Sequence, residues 1–491
     1  MLFNSPSFIF FFAAVFCLYW TIRRRVVQNT LLLAASYIFY GTWSWKFLLL
    51  LGFSTLLDYT CGRLVAATED PRRRRVLLAA SVVTNLGFLG AFKYFGFFVT
   101  EAAELLRLLG FDAHVRTLEI VLPVGISFYT FQSLSYVVDV YRRKLAAERN
   151  ILTYALYVAF FPQLVAGPIE RATHMLPQFK SDRIWSSTAV ESGLQLMIWG
   201  LFKKIVIADN LAPYVNAVYG NPGQFSGRVL ATATVFFAVQ IYCDFSGYSD
   251  TARGTARALG FDVIRNFDLP YFSRTPVEFW RRWHISLSQW FQDYLYFPLA
   301  MRYMRRGGWA SKYRAHIVSM TLIGLWHGAS WTFVLFGLYW GLVIAVYIYF
   351  SERGSGAMDR TSGANGETSW LGWLQAPLAV VAMFVVACVG WILFRAKTID
   401  HFWMILTGLF SSAGDWRVLR LDVLGEPTLW ALVLGLWAAE LLYKRRAQVV
   451  SLVLDRAYSR LLARCAMLTA IVFSYVVALQ GRALPFIYFQ F

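Results

Sequence analysis

Apolar residues fall in long runs separated by short polar stretches. A helix needs about 20 apolar residues to cross hydrocarbon, within a range of about 17 to 25. On that measure the chain predicts spans at roughly 8–22, 27–44, 46–66, 76–98, 118–139, 150–168, 190–208, 226–243, 315–349, 372–395, 428–443 and 464–482. This gives about eleven or twelve helices by length. The run from Ile317 to Phe350 is too long for one straight span, so it is either strongly tilted or broken near Gly328. The first run, Phe8 to Ile22, has no preceding basic region and no A-x-A site, and reads as an uncleaved span. One stretch interrupts the pattern. SERGSGAMDRTSGANGETS, 351–369, is rich in Gly, Ser and Thr and reads as a disordered loop inside a single membrane domain covering 1–491.

Composition turns this pattern into a class. Of 491 residues, 58% are apolar and 15% charged, with a mean hydropathy of +0.50. A soluble domain carries about 25% charged residues, so the chain reads as an all-α polytopic membrane protein. Its net charge of +18 comes in clusters between apolar runs: Arg23–Arg25, Arg72–Arg75, Arg142–Lys144 and Lys444–Arg446. Such clusters mark cytoplasmic loops under the positive-inside rule. They place the first span from outside to inside and return residues 72–75 and 142–144 to the cytoplasm. No motif supports nucleic-acid binding. The five cysteines are scattered and the six histidines include no i,i+4 pair, so no metal site is expected.

Two histidines stand out by position. His327 lies about eleven residues from the polar cluster Arg314–His316, which puts it roughly 16 Å deep, near the bilayer midplane. An ionisable group there is costly, and function is the default reading; the alternative is a neutral histidine bridging two spans. Gly328, Ala329 and Ser330 follow it and allow close approach to the ring. His284 lies in a different segment. Thr275-Pro276-Val277-Glu278 has the form of a capping box, so one helix is expected from there through Tyr294. Phe279, Trp280, Trp283, Leu287, Trp290, Phe291 and Tyr294 form its apolar face, and Arg281, Arg282, Ser288, Gln289, Gln292 and Asp293 its polar one. Such a helix lies at the interface or lines a wet cavity. Asp244, at the end of an apolar run, is a candidate to orient a histidine, or is simply solvated. Arg281 and Arg282 are candidates to receive phosphates of a donor, or they anchor the helix to headgroups.

FDLPYFSRTPVEFWRRWHISLSQWFQDYLYFPL followed by LIGLWHGASWTFVLFGLYWG resembles the membrane-bound O-acyltransferases. The likeness is strongest to the branch that holds the alginate O-acetyltransferase membrane component. Leu122–Lys144, Phe160–Arg171, Gly200–Ala212 and the closing PFIYFQF support it, so it covers nearly the whole chain. It implies a ring of tilted transmembrane helices with re-entrant or interfacial helices, and a cytosolic tunnel meeting an extracytoplasmic funnel. It carries the family's catalytic histidine to His327 and its second motif histidine to His284. Asp244, Ser288 and Trp326 are candidate orienting or tunnel-lining neighbours. The chain departs from related acetyltransferases after Pro298-Leu299, where it reads Ala300-Met301-Arg302-Tyr303-Met304-Arg305-Arg306-Gly307-Gly308 in place of Gly-Gly-Asn-Arg. That leaves the acceptor polymer open.

The expected activity is transfer of an acetyl or other acyl group across a bacterial inner membrane. The donor is acetyl-CoA or another cytosolic thioester, with no bound cofactor. The acceptor is a hydroxyl of an exported polysaccharide such as alginate, reached through an extracytoplasmic acetyl-transfer protein. Two other classes compete: a glycan transporter or flippase with proton-relay histidines, and a scaffold in a secretion complex. The chain shows no internal repeat, which counts against the transporter. A scaffold leaves His327 unexplained.

Overall fold

The long run around Gly328 is two helices, Ser311–His327 and Trp331–Met358, so it is broken where its length predicts. The structure, a computed structural model, describes residues 1–111, 122–165, 167–305, 307, 310–358, 370–415, 424–444, 457–478 and 484–487. At the break, the Ser330 carbonyl accepts from the amides of Phe333 and Val334, and its hydroxyl accepts from Thr332 N at 3.3 Å. Ser330 thus caps the second helix. The two helices touch backbone to backbone. A Cβ on Gly324 would lie 2.2 Å from the Phe333 carbonyl oxygen, and one on Gly337 would lie 2.3 Å from that of Met320. Gly337→Ala is therefore expected to destabilise the protein by about 1–3 kcal/mol through overpacking. Gly435→Ala, where a Cβ meets nothing within 4 Å, should be neutral or slightly stabilising. Thermal unfolding of the two variants in detergent checks the pair, and equal behaviour would refute the close crossing.

Every regular element among the described residues is helical, apart from one isolated bridge between Phe225 and Asp415. Among the described residues, five helical stretches are long and apolar enough to cross a membrane: Lys46–Ala67, Pro71–Leu108, Gly227–Ala258, Trp331–Arg353 and Gln375–Arg395. The expected span 150–168 is instead two short helices, Ile151–Ala159 and Phe161–Leu164. Pro162 lacks the N–H that would bond the Val158 carbonyl, so the first helix stops before it. Thr153 to Val165 are all buried, and a short helix is tolerated where protein surrounds it. The span expected at 118–139 appears as Ile126–Tyr141, with 118–121 outside the described residues. Helix Trp331–Met358 runs through the first eight positions of the expected loop 351–369, and 359–369 lie outside the described residues.

The chain, expected as one domain, divides into two compact units, Met1–Gly200 with Tyr248–Arg265, and Leu201–Gly247 with Asn266–Ile487. The first unit is built around buried tyrosines and buried carboxylates, Asp58 among them. Asp58 accepts from the Ser81 hydroxyl at 2.6 Å and from the Asn85 amide at 2.9 and 3.0 Å. These bonds let an acid sit inside an apolar helix. Gly62, one turn on, lets the Tyr136 ring approach so closely that a Cβ would stand 2.6 Å from it.

The same unit holds a titrating bridge on Ala172–Lys180, outside the five apolar stretches. His174 Nδ1 lies 2.7 Å from Glu170 Oε2, and Nε2 lies 3.8 Å from Asp262 Oδ2. The other oxygen of the buried Glu170 accepts from Ile264 N at 2.6 Å. The bond to Glu170 raises the imidazole pKa, with help from the charges of Glu170 and Asp262 and against partial burial. A raised folded pKa contributes stability that is complete below the unfolded value, about 6.5, and is lost as pH climbs through the folded value. Thermal stability should therefore fall as pH rises above about 6.5, and His174→Gln should flatten that slope. An unchanged slope in the variant would assign the titration to another group.

Candidate active site

The expected continuous helix from Thr275 to Tyr294 is broken at its centre. It starts as predicted: Thr275 Oγ1 accepts from Glu278 N at 3.1 Å, and Pro276 follows at the first helical position. It ends at Arg282. Trp283 is extended, His284 takes the left-handed conformation (φ 43°, ψ 56°), and a second helix runs from Ile285 to Phe291. The physical reason is competition from Asn266–Asp268. The Arg282 carbonyl accepts from Asp268 N at 2.9 Å, and the Asn266 carbonyl accepts from Ile285 N at 2.9 Å. A periodic pattern carries no trace of those bonds, which come from residues outside the 275–294 segment. A left-handed non-glycine residue costs roughly 1–2 kcal/mol, so the neighbours must hold it.

The break turns His284 from a helix face into the interior. It is fully buried, with its ring edge-on to Phe245 at 4.6 Å between centroids and parallel to Phe267 at 6.4 Å. Burial lowers its pKa, so the imidazole is held neutral. Trp326 closes another side at 6.1 Å and lies 5.0 Å from the ring of His327. His327, at the end of Ser311–His327, packs against Phe394 at 5.2 Å and Phe336 at 5.9 Å. The structure thus brings both expected histidines against Trp326. The aromatic stripe around them is packing: Trp283 stacks on Phe279 at 5.7 Å and Phe279 on Trp340 at 5.0 Å.

The other expected site residues have different work. The Ser288 hydroxyl donates to the Trp283 carbonyl at 3.2 Å and its amide to the His284 carbonyl at 3.0 Å, bracing the turn. Arg282 pairs with Glu278 at 2.7 Å, and Arg281 is exposed. Asp244 does not serve as expected. Its Oδ1 lies 2.5 Å from Lys204 Nζ, and its Oδ2 accepts from Ile487 N at 2.7 Å. It is buried, not solvated, and its described partners are a lysine and a backbone amide.

Sequence reasoning passed over the groups that meet Asp244. Lys204 also lies 2.6 Å from Asp209 Oδ1, and Lys203 donates to the Ser246 hydroxyl at 2.9 Å. The Tyr242 hydroxyl bonds Glu440 at 2.5 Å. A signal existed: two adjacent lysines inside the apolar run 190–208 call for buried partners.

A helical, multi-pass membrane protein with two buried histidines about one tryptophan is the class that fold and site define. Residues 142–355, which include both histidines, match the membrane-bound O-acyltransferase family. The chain is 37% identical over 423 residues to a Pseudomonas aeruginosa protein named "Probable alginate O-acetylase AlgI", covering 86% of this chain and 77% of that one. It is 32% identical to the peptidoglycan O-acetyltransferase of Helicobacter pylori, covering 84% and 80%. It is 26% identical to the teichoic acid D-alanyltransferase of Bacillus subtilis, covering 57% and 70%. The chain belongs to the membrane-bound O-acyltransferase family and is an O-acyltransferase.

Proposed function

We propose that the protein transfers an acetyl group from acetyl-CoA, or another cytosolic acyl thioester, to a hydroxyl of an exported polysaccharide such as alginate. The transfer crosses a bacterial inner membrane and passes through an extracytoplasmic acetyl-transfer protein. The observation that carries this reading is the pair of buried imidazoles that both pack against Trp326. A neutral imidazole both accepts and donates a proton. His327 takes the proton of the acceptor hydroxyl as its oxygen attacks the thioester carbonyl carbon. His284 donates to the developing oxyanion or positions the acceptor. The carbon–sulfur bond then breaks, and the proton passes from His327 to the departing thiolate. Charge and atoms balance without a further reactant. The names of the relatives support an acyl group and a polymeric acceptor, and differ on which polymer.

The test uses purified protein in proteoliposomes with radiolabelled acetyl-CoA on one side and polysaccharide, with and without the partner protein, on the other. Label is expected on the partner or the polymer, with stoichiometric release of CoA. Folded protein that moves polysaccharide but never transfers label would restore the transporter reading.

A further inference from the structure

We propose that Asn266 is the positioning residue for His284, holding the left-handed turn that turns the imidazole inward; this rests on the role given to His284 above. His284 stands at the N-cap of helix Ile285–Phe291, a position where Ser, Thr, Asp or Asn normally supplies an oxygen to the free amides. The His284 side chain makes no such cap bond. Asn266 supplies it from a separate segment. Its carbonyl accepts from Ile285 N at 2.9 Å, and its Oδ1 accepts from Ser286 N at 3.2 Å and the Ser286 hydroxyl at 3.0 Å. Asn266 and Ser286 are each 1% exposed, so these bonds form away from water, where their loss is expensive. The next residue, Phe267, lays its ring parallel to the imidazole. One short segment thus sets the backbone of His284 and one wall of its box. The labour is divided: Asn266 caps the helix in place of the His284 side chain.

The geometry also explains why the turn persists. Without the Asn266 Oδ1, the Ser286 amide and hydroxyl lose their acceptor, Ile285 N keeps only the backbone carbonyl, and His284 is freer to leave φ 43°. Rotation about that bond moves the ring out of the Phe245–Phe267–Trp326 box. Displacement of a catalytic group by about 1 Å is enough to cost on the order of a hundredfold in rate.

The test compares Asn266→Ala, Asn266→Asp and His284→Ala with the Asn266→Ala/His284→Ala double variant in the full-length protein. Asn266→Ala is expected to lower kcat by about ten- to a hundredfold with little change in KM. Asn266→Asp keeps the oxygen acceptor and should recover most of the loss. In the His284→Ala background, Asn266→Ala should cost nothing more. A full, additive loss in the double variant would show that Asn266 acts on the fold at large and overturn the proposal. Histidine-labelled NMR reads ring placement without turnover, with the His284 signal assigned by its absence in His284→Ala. That signal should shift in Asn266→Ala, or in Asn266→Ser if the alanine variant fails to fold; an unmoved signal also overturns the proposal. If His284→Ala turns over like wild type, the chemical role of His284 fails, while the NMR comparison still decides what Asn266 holds.

Discussion

Replacing His327 by alanine is expected to lower the rate constant of acetyl transfer by roughly two to four orders of magnitude, the usual contribution of a positioned general base. The loss should fall on kcat and kcat/KM alike, because proton removal stabilises the transition state and not the bound substrate. The ring is 5% exposed and packed between Phe394 and Phe336, so truncation also leaves a cavity. His327→Gln keeps most of the volume and separates the two effects. It should retain the thermal stability of the wild type and share the catalytic defect of His327→Ala. The cavity gives a further check, since added imidazole should restore part of the activity of the alanine variant and none of that of glutamine. Turnover within tenfold of wild type in a folded His327→Gln protein would end the base assignment. It would then pass to His284, which also packs against the Trp326 indole.

Parts of this site were legible in the sequence for reasons that can be named. An apolar run from Ile317 to Phe350 exceeds one bilayer crossing, which leaves a strong tilt or a break near Gly328, and the structure has the break. The helix start at Thr275 follows from local capping chemistry: Thr275 caps Glu278 N as expected, while the Glu278 carboxylate accepts from Arg274 N, one residue before the cap. The two histidines are visible because ionisable groups are conspicuous among apolar neighbours. What escaped is non-local. The Trp283–His284 break is imposed by backbone and side-chain bonds from Asn266 and Asp268, and nothing within the 275–294 window encodes it. The short helices at Ile151–Ala159 and Phe161–Leu164 escaped because hydropathy does not tell burial in protein from burial in lipid. Asp244 was conspicuous by the same rule as the histidines, but its partners Lys204 and Ile487 lie far from it in sequence.

Those partners make Lys204 the residue whose loss should destabilise this unit most. Lys204 Nζ lies 2.6 Å from Asp209 and 2.5 Å from Asp244, and donates to the Pro485 carbonyl at 3.3 Å. All three charged side chains are buried. Lys204→Met removes a cation that pairs with two carboxylates, and breaking a buried pair in this way costs about 3–5 kcal/mol. Asp244→Asn should cost less, because Asp209 still pairs with the lysine and an amide oxygen still accepts from Ile487 N. Adding Asp244→Asn to Lys204→Met removes one of the stranded charges and should recover part of the loss, a coupling that independent sites would not show. Activity should respond as well as stability. Asp244 and Lys204 hold Pro485 and Ile487 on either side of Phe486, whose ring packs 5.2 Å from Phe245, the ring that stands edge-on to His284. Loosening that segment opens the wall of the imidazole box, so turnover per folded molecule should fall in Lys204→Met. Thermal unfolding in detergent, with turnover measured on the folded fraction, decides the case. If Asp244→Asn proves as damaging as Lys204→Met and the double variant is simply additive, the ion pair is not what secures the segment. The hydrogen bond from Ile487 to Asp244 then carries that role alone.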